Sequence, residues 1–102
     1  MKKKRLVDYQ EHLLKQLQNK EFAAGYLNEA LQDEDPRMFL LALKNVIEAR
    51  KVTRSILEQE TSLTRMSIYR ILSKKGNPKL TNIVSLLNAI GLDLAVQPVR
   101  RK

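Results

Sequence analysis

Apolar residues recur every three or four positions along most of this chain, and that spacing restricts the fold more than any other feature. The pattern is clearest after Asp35 and Pro36, where an aspartate followed by a proline is typical of a helix start. The apolar positions that follow are Phe39, Leu40, Leu43, Val46 and Ile47. The sequence therefore predicts an all-α fold with a central helix from about 36 to 50.

The same spacing predicts further helices on both sides of the central one. They are expected over about 8–18, capped by Asp8; from Asn19 to the acidic run 33–35; over 53–60, capped by Thr53; over 64–73, capped by Thr64; and from Thr81 to Gly91. Residues 92–99 alternate in part between apolar and polar, which predicts one short C-terminal β-strand. A lone strand needs a partner, so this one favours pairing with a second chain.

Composition and charge exclude several classes of protein. Without cysteine, the chain can form no disulfide scaffold, cysteine metal site or thiol enzyme. No apolar stretch approaches membrane-spanning length, and the basic start, Lys2 to Arg5, precedes no apolar segment, so a cytoplasmic protein is expected. The net charge of +8 is uneven: residues 1–35 carry six basic and seven acidic side chains, whereas residues 36–102 carry thirteen and four. A basic half of this kind favours a polyanionic partner, although a solvated surface is the plainer alternative.

Two short predicted helices flank the turn Thr61–Leu63 inside this basic half, and their spacing is that of a helix-turn-helix. In this interpretation Leu63 fills the gap between the helices, while Ile68 and Ile71 hold the second helix in place. The residues that then face outward are candidates for reading bases in the major groove: Thr64, Arg65, Met66, Ser67, Tyr69 and Arg70. The alternative is an ordinary solvated helix face.

A second set of residues has the chemistry of phosphate contacts. The N–H groups that open the last helix can hold a phosphate, and basic or amide side chains in the preceding loop would reinforce that contact. The candidates are Arg54, Lys74, Lys75, Asn77, Lys79, Thr81 and Asn82.

From Tyr26 onward, about three quarters of the chain resembles the HigA-like addiction-module antidote family, whose members carry a lambda-repressor-type (Xre/Cro) helix-turn-helix. The matching stretches are YLNEAL at 26–31, FLLAL at 39–43, ETSLT at 60–64, SIYR at 67–70, GNP at 76–78 and LNAIGL at 87–92. The family usually has glycine, with left-handed backbone, where this chain has Ser62. It also tends to have a small residue at Glu58 and a glycine near Lys51 and Val52.

The resemblance implies a lambda-repressor-like helix-turn-helix bundle, expected at 36–91. The two predicted N-terminal helices then form an extension at 1–35, and the predicted strand and a basic tail follow at 92–102. It also implies an antitoxin that neutralises a toxin of the RelE/ParE superfamily and represses its own operon as a dimer on double-stranded DNA. Because such toxins are usually basic, the acidic residues Glu29, Asp33, Glu34 and Asp35 are candidates to meet the toxin. Marking the ends of helices is their plainer role.

Catalysis is not expected from this sequence. His12 is the only histidine, and the chain contains no metal-binding motif, phosphate-binding loop or nucleophile elbow, so neither cofactor nor metal is predicted. Two alternatives to the antitoxin stay open. One is a prophage-type transcriptional regulator that has no toxin. The other is a helical protein that sequesters a partner and does not bind DNA specifically.

Overall fold

The computed structural model is helical, and it describes the backbone of residues 2–52, 54–73 and 77–99, with side chains from residue 8 and without that of Arg54. Its helices are α1 (Lys2–Gln16), α2 (Lys20–Ala30), α3 (Arg37–Ala49), α4 (Arg54–Thr61), α5 (Arg65–Ile71) and α6 (Leu80–Ala89). The all-α class is therefore confirmed.

Helix α3 contributes seven buried residues to the core, more than any other helix among the described residues, as its apolar pattern predicts. Helices α1 and α2 both pack against it, while α4 packs against α5 and α6. All these helices contribute to one hydrophobic cluster, in which Leu17, Leu43, Leu57, Ile68 and Leu86 are fully buried. The N-terminal helices thus share a core with the rest of the chain.

The start of α3 is built by the acidic turn that precedes it. Asp35 Oδ1 accepts a hydrogen bond from the Arg37 backbone N–H at 3.0 Å, so the aspartate satisfies a donor at the helix start. The capping position itself is Pro36, one residue later than predicted. The Arg37 guanidinium also pairs with Asp35 (Nη2 to Oδ2, 2.9 Å). These hydrogen bonds to Arg37 lower the pKa of Asp35. Asp33 Oδ1 accepts from the Asp35 N–H at 2.8 Å and closes the turn.

Helices α3 and α6 end with the same backbone pattern. At the end of α3, the N–H of Lys51 donates to Glu48 and that of Val52 donates to Ile47, the pair of bonds that defines a Schellman motif. At the end of α6, Gly91 and Leu92 donate to Asn88 and Leu87 in the same way. The left-handed position is Lys51 (φ 56°) in one motif and Gly91 (φ 84°) in the other. Gly91 therefore ends α6, as the sequence predicts.

Several predicted boundaries are wrong. Helix α1 begins at Lys2, so Asp8 lies inside it instead of capping it, because lysine, arginine and leucine propagate a helix well. Helix α6 begins at Leu80 with Lys79 at the capping position, which places Thr81 in its first turn. Helix α5 ends at Ile71, two residues earlier than predicted. The predicted cap Thr53 lies outside the described residues.

The predicted C-terminal strand is also wrong. Residues 92–99 carry no regular secondary structure. A strand exists only when its backbone N–H and C=O groups pair with a neighbouring strand. In the part of the chain that the structure describes, no second strand is present to supply that pairing.

Candidate nucleic-acid interface

Helix α5 is held rigidly at both its inner face and its N-terminus. Ile68 and Ile71 are buried, and they lie on the side of α5 that packs against α4, where Leu57 is fully buried. Thr64 caps the helix, because its Oγ1 accepts from the Ser67 backbone N–H at 3.0 Å. These predicted roles of Thr64, Ile68 and Ile71 are confirmed, and together they fix which side chains of α5 face outward.

The outward face of α5 carries two arginines and two large side chains. Arg65 and Arg70 are exposed, and Met66 and Tyr69 are 66% and 62% exposed. Residues four apart on a helix are neighbours, so Arg65 lies beside Tyr69 and Met66 beside Arg70. The structure therefore brings four of the six predicted base-reading residues onto one solvent-facing surface, which we call the α5 face.

The two hydroxyl residues of that predicted set are engaged with each other. Thr64 Oγ1 donates to Ser67 Oγ at 3.0 Å, in addition to accepting from the Ser67 N–H. Ser67 is half-buried. The Thr64 hydroxyl is thus committed to the helix cap, whereas the Ser67 hydroxyl proton is not used in this bond. A base-reading role for either residue stays a prediction.

The turn between α4 and α5 contains the left-handed residue that the family resemblance implies. Ser62 has φ 63°, a region that residues with a Cβ rarely adopt. Thr61 stabilises the turn, because its Oγ1 donates to the Leu57 carbonyl at 2.6 Å and accepts from the Leu63 N–H at 3.2 Å. Leu63 packs against the core as expected.

Substituting glycine for Ser62 is expected to stabilise the protein. Glycine adopts positive φ without the steric cost that serine bears, and we expect a gain of about 0.5–1 kcal/mol after the greater freedom of the unfolded glycine chain is subtracted. The thermal midpoint should rise by roughly 2–6 °C. The matched control is Ser85→Gly inside α6, which should lower the midpoint because glycine weakens a helix interior. A midpoint lowered by Ser62→Gly would contradict the strain argument.

Beside the α5 face lies a broad groove of about 1080 Å³ that the sequence did not reveal. Its lining includes Arg65, Met66 and Tyr69 of α5 together with Lys44 and Glu48 of α3. Lys44 and Glu48 were recognisable only as polar positions of a predicted helix, four residues apart on one face. Within the described side chains, Glu58 forms no ion pair with Arg65 or Arg70, so neither arginine is neutralised by it.

The predicted phosphate-binding residues are spread over a wider area. Thr81 is exposed and Asn82 half-buried in the first turn of α6, whose capping residue Lys79 makes no side-chain hydrogen bond to the helix. Asn77 lines a hollow with Asp33 and other residues near the start of α3, whereas the α5 face adjoins the end of α3. The structure therefore does not gather all of these residues around α5.

Three other members of that set receive no structural description. Lys74 and Lys75 lie outside the described residues, and the Arg54 side chain does as well.

Among the described residues, no helix is long and apolar enough to cross a lipid bilayer. Within the same part of the chain, no three His, Cys, Asp or Glu side chains are grouped so that they could hold a metal ion.

Comparison with known proteins identifies the family. The model of a family described as "Probable addiction module antidote protein" matches residues 8–98. An uncharacterized protein of Haemophilus influenzae is 30% identical over 93 residues, which cover 91% of this chain and 90% of that protein. No solved structure matches. Since the family model covers most of the chain, the protein belongs to the family of probable addiction module antidotes.

Proposed function

We propose that this protein is the antitoxin of a two-gene toxin–antitoxin module, and that it represses the module's promoter as a helix-turn-helix dimer while neutralising a RelE/ParE-like toxin. Membership of the antidote family supports a toxin partner in general. The observation that carries the DNA-binding half is the α5 face, where exposed Arg65 and Arg70 project from a capped helix held by buried isoleucines.

The proposed reading of DNA places α5 in the major groove. Arginine side chains at Arg65 and Arg70 have the donor geometry to bind guanine O6 and N7, and Tyr69 and Met66 supply contacts to thymine methyl groups or sugar edges. Phosphate contacts fall to the first turn of α6, at Thr81 and its neighbours, where backbone N–H groups point outward at the positive end of the helix.

The dimer is proposed to form through the C-terminal segment. Residues 92–99 are irregular, and Val96 and Val99 are 98% and 71% exposed. Irregular backbone with exposed β-branched side chains is suited to pairing with the same segment of a second copy. Such a dimer would present two α5 faces to half-sites about one helical turn of DNA apart.

The test is fluorescence anisotropy of the purified protein on the DNA upstream of its own gene, with a scrambled duplex alongside, at two salt concentrations. We expect binding to the upstream duplex to be about a thousandfold tighter or more. Equal, salt-sensitive binding to both duplexes would show that the α5 face does not read bases, and binding to neither would favour a protein that only sequesters a partner. Specific binding without an interacting neighbouring gene product would favour a regulator that has no toxin.

A further inference from the structure

A small groove runs between α2 and α3, at the end of the pair that adjoins the acidic turn. It has a volume of about 260 Å³. A hydrogen bond joins the two helices beside it, since Asn45 Nδ2 donates to Tyr26 Oη at 2.9 Å, and buried Ala42 helps to form its floor. The other lining residues that matter are Glu29, Asp33, Met38 and Leu41. We call this surface the α2–α3 groove.

The α2–α3 groove exposes apolar side chains that the core does not use. Leu41 is 51% exposed and Met38 is 38% exposed, although both belong to α3, which contributes seven buried residues to the core. They lie three residues apart and therefore on the same face of α3. A partner that covers these exposed leucine and methionine side chains lowers the free energy, because it removes apolar surface from water. Methionine also adapts its shape to different contacts.

The rim of the groove is acidic. Glu29 and Asp33 are both exposed, line the groove and lie four residues apart. Residues 21–36 contain five carboxylates and no lysine or arginine, in a chain whose net charge is +8. The nearest arginine in sequence, Arg37, pairs with Asp35 and is therefore engaged outside the groove. This rim attracts cations and repels DNA.

We infer that the α2–α3 groove is the docking site for the toxin, and that the toxin contributes an aliphatic side chain flanked by lysine or arginine. The inference rests on the proposed antitoxin function and assigns that function a surface. The apolar surface of the groove is complementary to the aliphatic side chain, and its acidic rim is complementary to the flanking basic residues. A charged rim of this kind speeds association and selects the partner.

The α2–α3 groove and the α5 face share no residue. Toxin bound between α2 and α3 therefore does not cover the exposed Arg65 and Arg70. One antitoxin molecule accordingly has separate surfaces for its two proposed partners.

The test uses isothermal titration calorimetry to compare the wild-type chain and the Leu41→Lys variant. Each is titrated with the protein encoded by the adjoining reading frame. A lysine there removes an apolar contact and repels a basic partner, so we expect Kd to rise by about 30-fold or more, the loss typical of an interface hot spot. The matched control is Leu31→Lys, because Leu31 is 49% exposed, lies near the same acidic run and does not line the groove. Its Kd should stay within about threefold of the wild-type value.

A second pair of variants tests the rim without introducing a bulky change. Glu29→Gln with Asp33→Asn should weaken binding by roughly fivefold at low salt and by less at high salt, because salt screens exposed charges. Asparagine keeps the side-chain oxygen that accepts from the Asp35 N–H, so the turn is preserved. The control, Glu11→Gln with Glu60→Gln, removes the same charge elsewhere and should have little effect. Circular dichroism and thermal midpoints verify that every variant folds.

The outcomes separate this inference from the function on which it rests. If the wild-type chain does not bind the neighbouring protein, the toxin half of the proposed function fails, and the docking site fails with it. If the wild type binds but Leu41→Lys and the rim pair bind as well as their controls, the function stands and the docking site is overturned. If Leu41→Lys instead dissociates a dimer in light scattering, the groove belongs to a second copy and the inference is also overturned.

Discussion

Replacing Arg65 and Arg70 together with alanine is expected to weaken binding to the operator by about 100-fold or more. Each bidentate arginine–guanine contact contributes about 1–3 kcal/mol of discrimination between bases. Both side chains are exposed, and α5 is anchored by residues on its other face, so their removal should leave the fold intact. Anisotropy titrations on the operator and on a scrambled duplex measure the two losses separately.

The matched control for this pair removes two positive charges elsewhere. Lys15 and Lys20 are exposed in α1 and α2, away from the α5 face. Lys15→Ala with Lys20→Ala should weaken binding to both duplexes only slightly and to the same degree. If the arginine pair also lost equal affinity for both duplexes, Arg65 and Arg70 would be phosphate contacts and α5 would not read sequence.

Leu57→Ala is expected to reduce the free energy of unfolding by about 3 kcal/mol. Leu57 is fully buried in α4, the helix that packs against both α5 and α6. Truncating a buried leucine removes its apolar contacts and leaves a cavity, for which losses of about 2–5 kcal/mol are typical. In a domain of this size the thermal midpoint should fall by roughly 10–20 °C.

The control for Leu57→Ala is Leu80→Ala, because Leu80 is 66% exposed at the start of α6. That change should alter the unfolding free energy by no more than about 0.5 kcal/mol. Urea denaturation of both variants gives the comparison. Similar losses at the two positions would mean that α4 does not connect α5 to α6 through Leu57.

The sequence predicted those features that a few neighbouring residues determine. The caps at Asn19 and Thr64 and the role of Asp35 at the start of α3 were predictable, because each side chain bonds to a backbone N–H two or three residues away. The left-handed Ser62 followed from the family resemblance, and the outward face of α5 followed from helical periodicity. None of these features depends on how distant helices pack.

Features that depend on packing or on a partner were beyond sequence reasoning. Nothing near Asp8 shows that α1 begins at Lys2. The strand predicted at 92–99 required a pairing partner that local alternation cannot supply. Both grooves form between helices, so the residues that line them together, such as Lys44 with Arg65 or Glu29 with Leu41, are brought together only when those helices pack.

The shared backbone pattern at the ends of α3 and α6 determines which substitutions these two turns can accept. The same Schellman motif is completed by lysine in one helix and by glycine in the other. In the α3 motif the backbone bond from Val52 to Ile47 joins two apolar residues, one buried in the core and one packed against it. The left-handed lysine costs about 1 kcal/mol, against the 5–15 kcal/mol by which domains are usually stable. Position 51 therefore accepts lysine as well as glycine, but it disfavours β-branched residues, which rarely adopt positive φ. Polar substitutions at Ile47 or Val52 would instead disturb positions that pack in or against the core.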